Sequence, residues 1–192
     1  MIEIETKYAF PCRESVKNRI VMSPMNTCQS NADGRLSDED IAWFERRISG
    51  NFGMVVTGSA FVDHAGKICE GQIGIDSDIH IQGLSILAQK ARENKCMAIL
   101  QLSHGGLSGL NYLVETRSLL PNSNNFGGID LRMLADLSDL EIEDVMDSFV
   151  LSALRAEKAG LAGIELQAAD GYLIQQFLST TTNFRKDKWG EA

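Results

Sequence analysis

Four short apolar runs, at 20–25, 53–57, 97–102 and 163–166, alternate with stretches of helical periodicity. This alternation is the strongest constraint on what the chain can fold into. Runs this short, apolar at nearly every position, predict strands covered on both faces, which is the environment of a parallel sheet. The intervening segments carry helix signals. Ser37 is a candidate N-cap with Asp40 three residues on, followed by Ile41, Phe44 and Ile48 at helical spacing before Gly50. Residues 79–94 place Leu84, Leu87, Ala88 and Ala91 on one face, and Ser138 with Glu141 forms a capping box that opens a helix running to Gly160. A short helix is predicted over 174–178. Residues 61–77 read as an irregular excursion, and 103–137 as a long Gly/Asn/Ser-rich loop or lid.

Strictly alternating strands and helices indicate an α/β fold with a parallel sheet, either doubly wound or a barrel. A doubly wound nucleotide fold would place a G-x-G-x-x-G turn after the first strand, where this chain has Ser-Pro-Met-Asn. The expected fold is therefore a partial (β/α)8 TIM barrel comprising about the first four β/α units, with residues 1–192 as one N-terminal half. Eight strands and typically around 250 residues make such a barrel. A chain with four strands is expected to stop too early to close one alone.

The net charge of −8 carries no basic patch, which sets nucleic acid aside. The N-terminus lacks the basic and apolar regions of a signal peptide, and no segment has the apolar length of a membrane span, so the expected location is cytoplasmic. Cys12, Cys28, Cys69 and Cys96 lie far apart with no C-x-x-C and no grouping with His64, His80 or His104. They read as reduced thiols, Cys96 as a small core residue, and no metal site is expected.

In a barrel, the chemistry sits just after the C-terminal ends of the strands, because the interior is filled and only the βα loops enclose a cavity. That rule selects Ser23-Pro-Met-Asn26, Gly58-Ser-Ala60, Gln101-Leu-Ser-His104 and Gln167-Ala-Ala-Asp-Gly-Tyr172. Pro24, Met25 and Ala60 offer apolar or backbone surface, and Gln101 an amide that donates and accepts, a set suited to a planar heterocycle. His104 reads as a structural residue of the long loop, and Arg185 with Asp187 as a local ion pair.

Lys17-Asn-Arg-Ile-Val-Met-Ser-Pro-Met25, Gln101-Leu-Ser-His-Gly105, Gly171-Tyr-Leu-Ile-Gln-Gln-Phe-Leu-Ser179 and Asn183-Phe-Arg-Lys-Asp-Lys-Trp-Gly190, in this order, resemble the old yellow enzyme family of FMN-dependent NAD(P)H oxidoreductases. The resemblance runs from about residue 15 onward. It implies that Ser23, Pro24, Met25, Asn26, Ala60 and Gln101 line an FMN ring, and that Tyr172 hands a proton to the substrate. The implied activity passes hydride from NAD(P)H, through flavin, to an activated alkene. The cofactor carries that step and the protein orients it.

Two departures bear on activity. The family presents two imidazoles, or an imidazole and an amide, after the fourth strand to bind the substrate oxygen, where this chain has Gln167 and Asp170. Gln167 can still donate, but an ionised Asp170 only accepts and opposes a developing enolate unless an apolar pocket keeps it protonated. The phosphate anchor of flavin barrels lies by the seventh and eighth strands, beyond the four units here. Activity is accordingly expected to be impaired, and FMN binding weak or absent. The alternative is a non-catalytic half-barrel that binds or assembles, as a homodimer or with a complementary barrel half.

Overall fold

A computed structural model of the chain describes residues 3–106, 109 and 137–190. Most of the expected loop or lid over 103–137 lies outside these residues. Two short strands, β1 (Tyr8–Ala9) and β2 (Ser15–Val16), pair antiparallel ahead of the first apolar run, a hairpin the sequence patterning did not announce. The main sheet is built from β3 (Val21–Met22), β4 (Met54–Val56), β5 (Ala60–Phe61), β6 (Met97–Ser103) and β7 (Gly163–Leu166). All of its pairings are parallel: β3 with β4, β4 and β5 with β6, and β6 with β7.

The two middle segments are one interrupted strand. Val56 is opposite Ile99 and Ala60 opposite Leu102, so four steps on one side match three on the other. The extra residue bulges the chain at Thr57-Gly-Ser59, and bulges commonly re-aim backbone beside functional sites. The sheet thus runs β3, β4/β5, β6, β7, in chain order without reversal.

Among the described residues, three long helices fill the crossovers: α1 (Asp38–Ile48), α2 (Ile81–Glu93) and α3 (Asp139–Lys158). Helix α1 packs on α2, and α2 on α3. Consecutive helices that touch one another lie on one face of the sheet, whereas a doubly wound fold divides them between two. Both predicted caps form. Ser37 and Asp40, and Ser138 and Glu141, exchange side-chain to backbone hydrogen bonds in full capping boxes. A short helix, α4 (Leu173–Leu178), follows β7.

Side chains alternate along β6. Ala98, Leu100 and Leu102 turn toward the helices and join Phe44, Ile48, Leu84, Leu87 and Ala156 in the core, while Met97, Ile99 and Gln101 face the other way. Cys96 lies in that core, as its apolar setting predicted. On the opposite face, register aligns Val21, Met54 and Met97 in a row, with Val21 49% exposed. Among the described residues, β7 pairs with β6 alone, and its Ile164 and Leu166 are exposed.

Asp40 does more than cap α1. It is fully buried, and its carboxylate accepts from Thr27 Oγ1 at 2.5 Å and from Ser30 Oγ at 2.6 Å, tying the loop after β3 to the start of α1. Hydrogen bonds to a charged group are each worth about 1.5–3 kcal/mol, and losing the acceptor takes that partner from the buried Ser30 and half-buried Thr27 hydroxyls. Asp40→Ala is expected to lower unfolding free energy by about 3 kcal/mol, read as a fall in the urea midpoint with unchanged slope.

Candidate functional site

Parallel pairing in chain order brings the ends of β3, β4/β5, β6 and β7 to one edge of the sheet, and hydrogen bonds join them in sequence. Asn26 Oδ1 accepts from the Ser59 N–H at 2.8 Å and from the Ser59 hydroxyl at 3.0 Å, linking the first end to the second. Gln72 Nε2 donates to the Ser59 carbonyl at 3.0 Å, and Ser103 Oγ to the Ala60 carbonyl at 3.4 Å, linking the second to the third. The Leu173 N–H donates to the His104 carbonyl at 3.0 Å, linking the third to the fourth. Gly58 lets the first two ends approach, since a Cβ there would lie 2.4 Å from the Met25 carbonyl oxygen.

The residues selected from the sequence fall along this edge. Ser23, Met25 and Asn26 are exposed and Pro24 is half-buried, so the first loop presents an apolar ledge with Met25 52% exposed. Ala60 is buried, so what it offers a ligand is backbone. Gln101 is also buried, and its Nε2 donates to Glu165 Oε1 at 2.8 Å. Glu165 was missed by sequence reading. It stands directly across from Gln101 in the β6–β7 register and orients its amide. The available signal was a carboxylate in the middle of an otherwise apolar strand.

The loop after β7 is tightly turned. Asp170 and Gly171 both have left-handed φ, at 58° and 74°. That geometry lets Gln167 Nε2 donate to Asp170 Oδ2 at 2.9 Å. The two positions suspected of contacting a substrate oxygen are therefore bonded to one another. Asp170 is exposed. Tyr172 stands at the N-cap of α4 and is half-buried. Burial, reinforced by the Asp170 carboxylate and the Cys69 sulfur, pushes its hydroxyl above the ordinary value, so it holds its proton at neutral pH.

His104 lies just past the end of β6, where the sequence reading expected a structural residue. It is buried, its Nδ1 accepts from the Gly106 N–H at 3.2 Å, and its ring packs on Gly66, where a Cβ would lie 2.4 Å from the imidazole Cδ2. The Nε2 has no partner among the described residues. Burial pushes its pKa down to about 4, only partly opposed by Asp63. Arg185 and Asp187 form the expected local ion pair, with Nε–Oδ1 at 3.0 Å and Nη2–Oδ2 at 2.5 Å. No group of side chains suited to a metal ion occurs among the described residues, and no helix there is long and apolar enough to cross a membrane.

Residues 13–192 match the model of the NADH:flavin oxidoreductase / NADH oxidase family. The chain is 36% identical over 183 residues to a probable NADH-dependent flavin oxidoreductase, YqiG, of Bacillus subtilis, covering 95% of this chain and 49% of that one. It is 33% identical over 177 residues to an NADPH dehydrogenase of Halalkalibacterium halodurans, covering 92% and 51%. The chain thus spans about half the length of these relatives. Among solved structures, an old yellow enzyme from Pichia sp. AKU4542 superposes with a TM-score of 0.88 at 22% identity, over 98% of this chain and 52% of that one. An old yellow enzyme homologue from Zymomonas mobilis gives 0.83 at 23%, over 100% and 55%. At these identities the superpositions establish the fold.

The buried neutral imidazole of His104 makes stability pH-dependent. Its folded value, about 4, lies below the ordinary 6.5, so the unfolded chain binds the extra proton between them. Its contribution is complete above pH 6.5 and is lost as pH falls toward 4, by on the order of 3 kcal/mol. Urea midpoints measured across that window are expected to slope upward with pH, and His104→Gln to flatten the slope.

Proposed function

The chain belongs to the NADH:flavin oxidoreductase / NADH oxidase family, and from that premise we propose that it supplies the ring-binding half of an FMN site in an oxidoreductase of the old yellow enzyme type. The observation that carries this reading is the buried Gln101 amide, oriented by Glu165 on the sheet edge that also presents the Pro24–Met25 ledge. A planar heterocycle with a donor–acceptor rim needs that combination of apolar surface and few, fixed polar groups. Ser23, Pro24, Met25, Asn26 and the Ala60 backbone would hold the ring, with Gln101 on its pyrimidine edge. The chemistry FMN supplies when bound is hydride transfer between NAD(P)H and an acceptor such as an activated alkene.

Tyr172 is the candidate general acid. A hydroxyl that keeps its proton at neutral pH can deliver it to the substrate carbon opposite the incoming hydride. Gln167 supplies one donor for the substrate oxygen once its bond to Asp170 opens. Asp170 in its ionised form opposes negative charge growing on that oxygen, so this pair slows the usual reaction. The phosphate anchor of such barrels belongs to loops after the seventh and eighth strands. This chain spans about half the length of the relatives it matches.

A second reading, a half-barrel module for assembly, has its own support. The row Val21, Met54 and Met97, exposed at Val21 and half-buried at the two methionines, lies on the face that would be a barrel interior. An apolar groove of about 510 Å³ lined by Val145, Phe149, Leu173, Phe177 and Trp189 lies between α3 and α4. Both surfaces suit a complementary barrel half or a second copy of the chain.

Two measurements separate these readings. Flavin fluorescence is expected to be quenched when the chain is titrated into FMN, and a chain that neither carries nor quenches flavin overturns the first. With NADPH and an activated alkene present, Tyr172→Phe is expected to slow alkene reduction about a hundredfold without changing the quenching. Asp170→His is expected to speed the same reaction by supplying a donor. Flavin-independent association in light scattering, with no turnover, favours the module.

A further inference from the structure

Two cysteines separated by 41 positions meet in the folded chain, with Cys28 Sγ and Cys69 Sγ 3.4 Å apart. Sequence spacing had left them ungrouped. Cys28 is exposed and Cys69 half-buried. We propose that Cys28 and Cys69 form a dithiol site that takes low-molecular-weight disulfides and closes reversibly into an internal disulfide. The proposal stands independently of flavin binding.

The contact is held by structure on both sides. Cys28 adopts a left-handed φ of 54°, uncommon for a residue with a Cβ and costly unless its surroundings impose it. Asp40 grips both flanks of Cys28 through the Thr27 and Ser30 hydroxyls. The Ser30 N–H donates to the Gly71 carbonyl at 3.0 Å, joining the loop of Cys28 to that of Cys69. Gly71, with φ 66°, makes the approach possible, because a Cβ there would lie 2.3 Å from the Cys28 carbonyl oxygen. Gln72 Oε1 accepts from the Ile68 N–H at 2.7 Å and fixes the Cys69 loop from within. A disulfide requires the sulfurs to close to about 2.05 Å, a small movement for two loop side chains already in contact.

The order of reaction follows from exposure. The Cys28 thiol gives its proton to solvent, and its sulfur attacks one sulfur of the small disulfide, breaking that S–S bond and releasing one thiolate. The Cys69 sulfur then attacks the Cys28 sulfur of the mixed disulfide, the mixed bond breaks, and a second thiolate leaves. The proton lost by Cys69 ends on a released thiolate. Two protein thiols and one small disulfide become one protein disulfide and two small thiols, so electrons and protons balance. Burial, followed by the hydrogen bond and charge of Cys28, pushes the Cys69 thiol up to about 12.

The test is to incubate the full chain with oxidised glutathione, then count thiols in denaturant and map peptides without reduction. The expected result is loss of two of the four thiols, a peptide joining Cys28 to Cys69, and full recovery with dithiothreitol. Cys69→Ser is expected to stop at a glutathione adduct on Cys28, and Cys28→Ser to form no internal cross-link. Retention of all thiols by the wild-type chain, or cross-links that run through exposed Cys12 instead, overturns the proposal.

Discussion

Strand β6 is the member on which everything else is hung. Over its seven residues it bonds to β4 and β5 on one side and β7 on the other, so it sets the register of the first three units against the fourth. Its even-numbered side chains supply the middle of the helix-facing core, and its odd-numbered ones include Gln101, the amide most suited to bind a ring. A one-residue slip would exchange those faces, burying Gln101 among apolar side chains and removing Glu165 from its reach. Core stability and site geometry therefore depend on one pairing.

Around that strand, the loops form a chain of mutual constraints. Asn26 is joined to Ser59, Ser59 to Gln72, Ala60 to Ser103 and His104 to Leu173. Asp40 adds a charged anchor under the first loop. Irregular backbone can be held in defined positions only if its polar groups find partners, and here most partners come from a neighbouring strand end. The same links that shape the candidate flavin edge also bring the two thiols into contact. The sheet is much less constrained at β7 and β3, where apolar side chains lie open on surfaces that a parallel sheet ordinarily covers.

Much of the fold was legible in the sequence. Strand runs, helix periodicity and the Ser37 and Ser138 caps depend on residues within a few positions of each other, and their physics is local. The positions of the candidate residues at strand ends followed from the α/β pattern. The N-terminal hairpin and the bulge at Thr57-Gly-Ser59 left no comparable periodic signal, since two-residue strands are too short to show one. For Asp170, the motif suggested a place facing substrate oxygen, while the left-handed turn bonds it to Gln167.

The sequence by itself determined the alternation of strand and helix, the ends of the helices and which loops carry polar side chains, because each is decided by neighbours along the chain. Only the tertiary structure decided that Gln101 meets Glu165 across 64 residues, that Asp40 holds Thr27 and Ser30, and that Cys28 touches Cys69 across 41. Those contacts follow from parallel register and from which loops are laid side by side. Both are set by how the apolar faces of the sheet and helices pack, a balance summed over the whole core.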